Sequence, residues 1–170
     1  LSLAKRVGAP RSEAVILGGL GAGYRQVGRL EESSAAFTAS LRLFGECGAR
    51  EGELAALAGL GTACHAKGDL DRAADHLTRA IAGLRDIGDR SGESDALPAL
   101  AAVERDRGRL AAAAELAGKA LVLAEDLGDR RAEAAARTVR ATIDHHTGRS
   151  QDALVEYHRV LDLAGDLAEP

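Results

Sequence analysis

The sequence contains no tryptophan and no methionine, and its 170 residues include only two tyrosines, two phenylalanines and two cysteines. Yet 46% of the residues are hydrophobic, chiefly alanine and leucine, which favours closely packed helices over a β-sandwich. Cys47 and Cys64 are too few for a disulfide framework and match no zinc-site spacing. We therefore expect two small buried thiols in a reducing cytoplasm.

A basic excess and a long apolar run are also missing. The formal net charge is -4 and the isoelectric point is near 5.8, whereas a nucleic-acid-binding protein usually carries an excess of lysine and arginine with stacking aromatics. No apolar run approaches the ~20 residues that span a bilayer, and no signal peptide is recognisable. We therefore expect a cytoplasmic protein segment that contacts neither nucleic acid nor membrane directly.

The sequence does contain an internal repeat with a period of 40 residues and no gap. Residues 15–30, VILGGLGAGYRQVGRL, align with AALAGLGTACHAKGDL, DALPALAAVERDRGRL and AARTVRATIDHHTGRS, each 40 residues further on. Glycine recurs in two columns, one of Gly28, Gly68, Gly108 and Gly148 and one of Gly48, Gly88 and Gly128. Glycine after an amphipathic run is typical of a helix end, because it accepts the left-handed conformation.

Each repeat is therefore predicted to be a helix, a tight turn, a longer helix and a linker. The first helices are expected near 12–27, 53–67, 94–107 and 133–147, and the second near 31–47, 71–87, 111–127 and 151–165. Apolar residues at mostly helical spacing predict the buried faces. They are Leu41, Phe44, Leu77, Ile81, Leu84, Leu116, Leu121, Leu123, Leu127, Leu154, Val160 and Leu161.

Four glycines, at positions 18, 19, 21 and 23, raise the question of a phosphate-binding loop. A dinucleotide loop needs G-x-G-x-x-G between a strand and a helix, and Gln26 stands where the third glycine should be. The other repeats lose most of these glycines and keep the helical period, so a helix interior is predicted. One small column (Gly21, Gly61, Ala101, Ala141) is expected to pack against another (Ser33, Ala73, Ala113, Ala153).

At these columns the chain resembles the tetratricopeptide repeat family. The family's L-G-x-x-Y segment matches Leu20-Gly21-x-x-Tyr24 and, with cysteine for tyrosine, Leu60-Gly61-x-x-Cys64. The third and fourth repeats depart from it, with Glu104 and Asp144 at the tyrosine position. Further small residues expected on the second helix are Ser40, Ala80 and Ala120, with Val160 as the exception.

The resemblance implies an all-α, right-handed superhelix of four helix-turn-helix repeats, with eight main helices. The expected repeats are 11–50, 51–90, 91–130 and 131–170, forming one domain over 1–170. LSLAKRV predicts that residues 1–10 are the end of a truncated helix from a preceding repeat, in a piece of a longer protein. The 40-residue length exceeds the usual 34 and resembles the arrays of actinobacterial multidomain transcriptional regulators and signal-transduction ATPases.

The family's concave groove, carried over to this sequence, gives four columns on the first helices. Two are Val15, Ala55, Asp95, Ala135 and Gly18, Ala58, Pro98, Thr138. The third column is Ala22, Thr62, Ala102, Thr142, and the last is Arg25, His65, Arg105, His145. The last column suits a partner with acidic groups, because arginine pairs well with carboxylates. The same residues lie near helix C-termini, where positive charge also complements the helix dipole, so both interpretations stay open.

Three local features have ordinary explanations. Asp144-His145-His146 is not expected to bind metal, because adjacent helical side chains point about 100° apart. Pro98 should move the start of its helix toward Ser94 or bend the helix. Arg137 and Arg140 replace leucines and predict an outward polar face on a C-terminal capping repeat.

We therefore predict a non-enzymatic module without a cofactor that binds a protein or peptide, as the regulatory part of a larger bacterial regulator. The alternatives are a small-molecule or signalling-peptide sensor and a structural spacer. Apolar surface at the repeat ends predicts possible self-association.

Overall fold

The computed structural model describes the backbone of residues 2–168 and the side-chain exposure of residues 10–165. This part of the chain forms eight helices and no strand, which confirms the all-α prediction. The helices are α1 (Ser2–Gln26), α2 (Leu30–Glu46), α3 (Arg50–Ala66), α4 (Leu70–Asp86), α5 (Arg90–Asp106), α6 (Leu110–Leu127), α7 (Arg130–His146) and α8 (Ser150–Ala168). None of these helices has the length and apolarity needed to cross a membrane.

From α2 onward a helix begins every 20 residues, and the turn before each one contains a glycine with positive φ. These glycines are Gly28, Gly48, Gly68, Gly88, Gly108, Gly128 and Gly148. The predicted alternation of a tight turn with a longer linker is wrong. Helices α2 to α5 and α7 have 17 residues each, so the extra length of the repeat is shared by both helices.

The first helices begin about a turn earlier than predicted because the residue after the turn glycine already caps them. Asp129 shows this directly: its carboxylate accepts hydrogen bonds from the backbone N–H groups of Arg131 and Ala132, both at 3.0 Å. Such caps satisfy donors that have no partner inside the helix. Helix α7 therefore starts at Arg130 and not near residue 133.

Neither helix-internal proline ends a helix. Residues 2–10 were expected to end a separate, truncated helix, but α1 runs through Pro10 without a break. The expected shift of α5 toward Ser94 is also wrong, because α5 starts at Arg90 and Pro98 lies buried inside it. A proline removes only one backbone donor, whereas every turn between these helices is made by a left-handed glycine.

The helices form two compact units, the first ending at Asp89 and the second beginning at Arg90. In the first unit each helix packs on the next in sequence, and α1 also packs on α3. The second unit repeats this arrangement, with α5 also packed on α7. Two hairpins of helices thus make each unit.

The two small columns lie inside these hairpins, as predicted. Every member of both columns is buried. Ser33 Oγ donates to the carbonyl oxygen of Gly21 at 2.8 Å, which joins the columns directly in the first repeat. A β-carbon on Gly61 would lie 2.7 Å from Leu77 Cγ, so this contact requires glycine.

The predicted apolar core is confirmed for most of its members and wrong for three. Phe44, Leu77, Ile81, Leu84 and Leu121 are buried. Leu41, Leu116, Leu123 and Val160 are partly buried. Leu127, Leu154 and Leu161 are exposed by 39%, 52% and 66%, because the last turn of α6 and the outer face of α8 have no helix over them within either described unit.

Candidate partner-binding surface

The first unit contains an apolar cleft of about 290 Å³ between α1 and α3, with α2 beneath it. Its floor consists of the rings of Phe37 and Phe44, which are 6% and 7% exposed. Its walls are almost free of side-chain polar atoms. They comprise Val15, Gly18 and Gly19 from α1, Ser40 from α2, and Gly52, Ala55 and Ala56 from α3.

Glycines on α1 and α3 make room for the two rings. A β-carbon on Gly59 would lie 2.2 Å from Phe37 Cε1, and one on Gly21 would lie 2.9 Å from the opposite part of that ring. On α3, a β-carbon on Gly52 would lie 2.4 Å from Phe44 Cε1. The rings therefore lie directly against backbone and cannot be matched by larger residues at these positions.

Sequence reasoning placed Val15, Ala55 and Gly18 in a groove, and the structure places them on this cleft. Val15 is 60% exposed, so an apolar side chain stands at the cleft's open side. The reasoning missed Phe37 and Phe44 as the floor. The available signal was that the chain's only two phenylalanines face, one repeat on, two glycines of α3.

The other proposed contact residues of the first unit lie further along the same helices. Arg25 is exposed, and it has no ion pair among the residues that the structure describes. It lies seven residues, or about 10 Å of helix, beyond Gly18. His65 and Ala22 are partly buried, as is Thr62, whose hydroxyl donates to the carbonyl oxygen of Gly59 at 2.8 Å. The basic pair thus lies beyond the cleft and not inside it.

In the second unit the corresponding residues have other partners. Arg105 pairs with Asp106 at 2.7 Å, and Asp95 with Arg131 at 2.7 Å. Thr142 is partly buried and donates to the carbonyl oxygen of Thr138 at 2.8 Å. Ala102 is also partly buried, Pro98 is buried, and Ala135, Thr138 and His145 are exposed. The described surface of α5 and α7 is therefore more polar than the cleft in the first unit.

The position of the family's tyrosine carries a repeated side-chain pairing with the residue five positions later. The Arg29 guanidinium lies 4.7 Å from the centre of the Tyr24 ring. In the third repeat Glu104 accepts hydrogen bonds from Arg109, and in the fourth Asp144 accepts two from Arg149, at 3.0 and 2.6 Å. The departures from the family's tyrosine are thus compensated by arginine in the following turn.

These pairings change the protonation of the acid. The hydrogen bond from Arg109 holds the pKa of the Glu104 carboxyl below its usual value, against the opposing effect of burial, and the charges of Arg109 and Arg107 act in the same direction. Glu104 is only 8% exposed. It is therefore a buried carboxylate that is held ionised by its neighbours.

A buried ionic cluster in the second unit overturns the prediction of an outward polar face at Arg137. This residue is only 8% exposed, and its guanidinium donates to Glu133, Glu156 and Glu125 at 2.8, 3.0 and 2.9 Å. Glu156, which is 2% exposed, also accepts from Arg140 at 2.6 Å. Arginine replaces leucine here because carboxylates on α6, α7 and α8 surround it.

The described residues contain no group of three histidine, cysteine or acidic side chains placed to hold a metal ion. Asp144 is bonded to Arg149, and the rings of His145 and His146 have their centres 6.2 Å apart. Both cysteines are free thiols, Cys47 partly buried and Cys64 buried. Burial raises the pKa of the Cys64 thiol, which makes it a poor nucleophile.

Comparison with known proteins gives one family and several structures. Residues 12–86 match the family model described as tetratricopeptide repeat. No curated protein gives a significant sequence match. The chain superposes on aspartyl phosphate phosphatase F from Bacillus subtilis with a TM-score of 0.80 and 11% identity, covering 94% of this chain and 42% of that one.

Two further structures are similar. BtubC (BKLC) from P. vanneervenii gives a TM-score of 0.75 at 15% identity, over 95% of this chain and 67% of that one. A signal transduction ATPase with numerous domains and a tetratricopeptide repeat sensor, from Pyrococcus horikoshii, gives 0.71 at 17% identity. The match covers 97% of this chain and 27% of that ATPase. At these identities the likeness concerns the fold alone.

Proposed function

Because the chain is built of tetratricopeptide repeats, we propose that it is a non-enzymatic module that binds a protein or peptide, with the apolar cleft of its first unit as the contact site. Repeats of this family generally mediate protein–protein interaction. The observation that carries the proposal is the cleft itself. It is open, apolar, floored by Phe37 and Phe44, and about 290 Å³ in volume.

The cleft suits an aliphatic side chain of a partner. Apolar surface that enters it is removed from water on three sides, which contributes about 25 cal/mol per Å² buried. Arg25 and His65 lie about 10 Å further along α1 and α3, a distance that an extended peptide spans in about three residues. The proposed ligand is therefore a peptide with an apolar anchor and, about three residues away, an acidic side chain.

We propose further that the module is the regulatory or sensor part of a larger bacterial regulator of transcription. The support is its likeness in fold to the sensor-bearing ATPase, of which the match covers only 27%. The match likewise covers less than half of the phosphatase. In this proposal Ala22, Thr62, Ala102 and Thr142, with Arg105 and His145, are further contact residues. Contacts between copies at the helix ends would be separate from peptide binding.

Selection from a random displayed peptide library on the immobilised chain tests the peptide proposal. We expect enrichment of peptides with one aliphatic or aromatic residue and a nearby Asp or Glu. Enrichment should be lost on an Ala55→Glu variant, since Ala55 is an exposed wall of the cleft. Ala135→Glu places the same charge at the equivalent exposed position of α7 and should leave selection unchanged.

A double variant, Arg25→Gln with His65→Gln, tests the acidic part of the motif separately. It should retain the apolar preference and lose the Asp or Glu. Selection of the same peptides by the chain and by Ala55→Glu would overturn the cleft as the contact site. Enrichment of no peptide at all would overturn the peptide-binding function.

A further inference from the structure

The packing of α2 on α3 provides a template for how one repeat meets the next. Phe37 on α2 lies against Gly59 on α3, where a β-carbon would be 2.2 Å from the ring. Leu41 on α2 packs against the buried cluster that contains Ala56 of α3. Bulky side chains of a second helix thus cover small residues of the following first helix.

Helix α1 presents the equivalent first-helix positions without a cover. Ile16 stands 40 residues before Ala56 and is 63% exposed, whereas Ala56 is 4% exposed. Leu20 is 47% exposed, while its equivalent Leu60 is 7% exposed. Gly19 is the equivalent of Gly59, and a β-carbon on Gly19 would meet no atom within 4 Å.

Helix α8 presents the equivalent second-helix positions, also without a cover. Tyr157 is the equivalent of Phe37 and is 38% exposed, whereas Phe37 is 6% exposed. Leu161 is the equivalent of Leu41 and is 66% exposed. The exposed apolar side chains of α8 therefore occupy the columns that, in α2, cover α3.

We propose that α8 of one copy packs on α1 of a second copy, in the register in which α2 packs on α3. Tyr157 then covers Gly19 of the second copy, and Leu161 covers Ile16. At the position of the Glu31–Lys67 ion pair, 3.2 Å within the first unit, this contact would place Gln151 opposite Val27, so no charge is buried unpaired. The association is head-to-tail, because the two faces are different and each copy carries one of each.

Measuring the mass of the chain in solution tests this packing, by sedimentation or light scattering over about a hundredfold range of concentration. We expect the average mass to rise above the 17.6 kDa of one chain as concentration increases. Ile16→Glu or Leu161→Glu should each hold the mass at one chain. Val122→Glu alters a residue on α6 that is 68% exposed, and should associate like the unaltered chain.

A mixture of the two variants separates head-to-tail packing from other kinds of dimer. Ile16→Glu keeps an intact α8 face and Leu161→Glu keeps an intact α1 face, so the mixture should form 1:1 dimers and nothing larger. A mass of one chain at all concentrations, or a mixture that stays monomeric, would overturn the proposal. Ala55→Glu should associate normally, so failure of the peptide-binding proposal leaves this result unaffected.

Discussion

The ring of Phe37 lies in the space that a β-carbon on Gly59 would need, with its Cε1 only 2.2 Å from that point. Gly21 bounds the same ring from α1, where a β-carbon would come within 2.9 Å. The ring is thus held between two glycines on different helices. This arrangement forms the floor of the cleft and explains why glycines persist in helices that they otherwise destabilise.

Replacing Gly59 with alanine should destabilise the first unit by about 1–3 kcal/mol, because the added carbon overpacks Phe37 and the ring is blocked from moving toward Gly21. Gly23 is the matched control, since a β-carbon there meets no atom within 4 Å. Gly23→Ala should stabilise by about 1 kcal/mol, through helix propensity alone. Urea unfolding of the two variants measures both effects, and equal stabilisation would contradict the packing described for Phe37.

The buried cluster around Arg137 gives a prediction from the repeat columns. Arg137→Leu restores the leucine that stands at positions 17, 57 and 97, but leaves Glu156 buried without Arg137. We expect a loss of about 3 kcal/mol in the free energy of unfolding, as is typical when one partner of a buried ion pair is removed.

The double variant Arg137→Leu with Glu156→Leu should recover that loss. Leucine stands at both equivalent positions of the third repeat, Leu97 and Leu116, and replacing a buried ion pair by apolar residues is often neutral or stabilising. Denaturant unfolding of the single and double variants gives the coupling between the two sites. Losses that simply add would show that the two side chains do not depend on each other.

Glu104 should make the stability of the second unit depend on acidity. Its pKa is lowered in the folded chain, mainly by the hydrogen bond from Arg109, so its contribution is present above about pH 4.5 and is lost as the pH falls through the folded value. Glu104→Gln should cost about 1.5 kcal/mol near neutrality and much less near pH 3. Glu115→Gln, at an exposed pair with Lys119, should change far less, and an equal change in both variants would argue against the buried bond.

His76 should act in the same direction at a higher pH. Burial lowers its pKa below the usual 6.5, with Arg72 and Arg79 helping and Asp75 and Asp69 opposing. Neither ring nitrogen has a hydrogen-bond partner among the described residues. Because the unfolded chain then binds more protons, the contribution of His76 to stability is present above about pH 6.5 and falls as the pH drops.

Replacing His76 with leucine, the residue at the equivalent position 116, should reduce the fall in stability between about pH 7 and pH 5. Unfolding midpoints at several pH values measure this, with His146→Gln at an exposed histidine as the control. A fall that is as steep in His76→Leu as in the unaltered chain would contradict the assignment.

The sequence was sufficient for the all-α class, the 40-residue period and the small columns, because these depend on local helix signals that recur four times. The resemblance at Leu20-Gly21-x-x-Tyr24 is confirmed by the family model over residues 12–86. The spacing of Gly28, Gly48 and Gly68 already contained the 20-residue rhythm of the turns. Giving the second helix extra length obscured it.

What could not be predicted depends on contacts between distant residues. An arginine in a leucine column suggests solvent exposure unless Glu125 and Glu156 are known to surround it. The cleft depends on the facing of Phe37 with Gly59 and of Phe44 with Gly52, on different helices. The contact roles of Arg25, His65, Arg105 and His145 remain predictions, since exposure places them on the surface without identifying a ligand.

The most direct measurement is the affinity of one library-selected peptide, labelled with a fluorophore, for three forms of the chain by fluorescence anisotropy. The account predicts that Ala55→Glu weakens binding at least tenfold, about 1.4 kcal/mol, while Ala135→Glu binds like the unaltered chain. Equal weakening by both variants would show a general charge effect. Unchanged affinity in Ala55→Glu would contradict the cleft between α1 and α3 as the binding site.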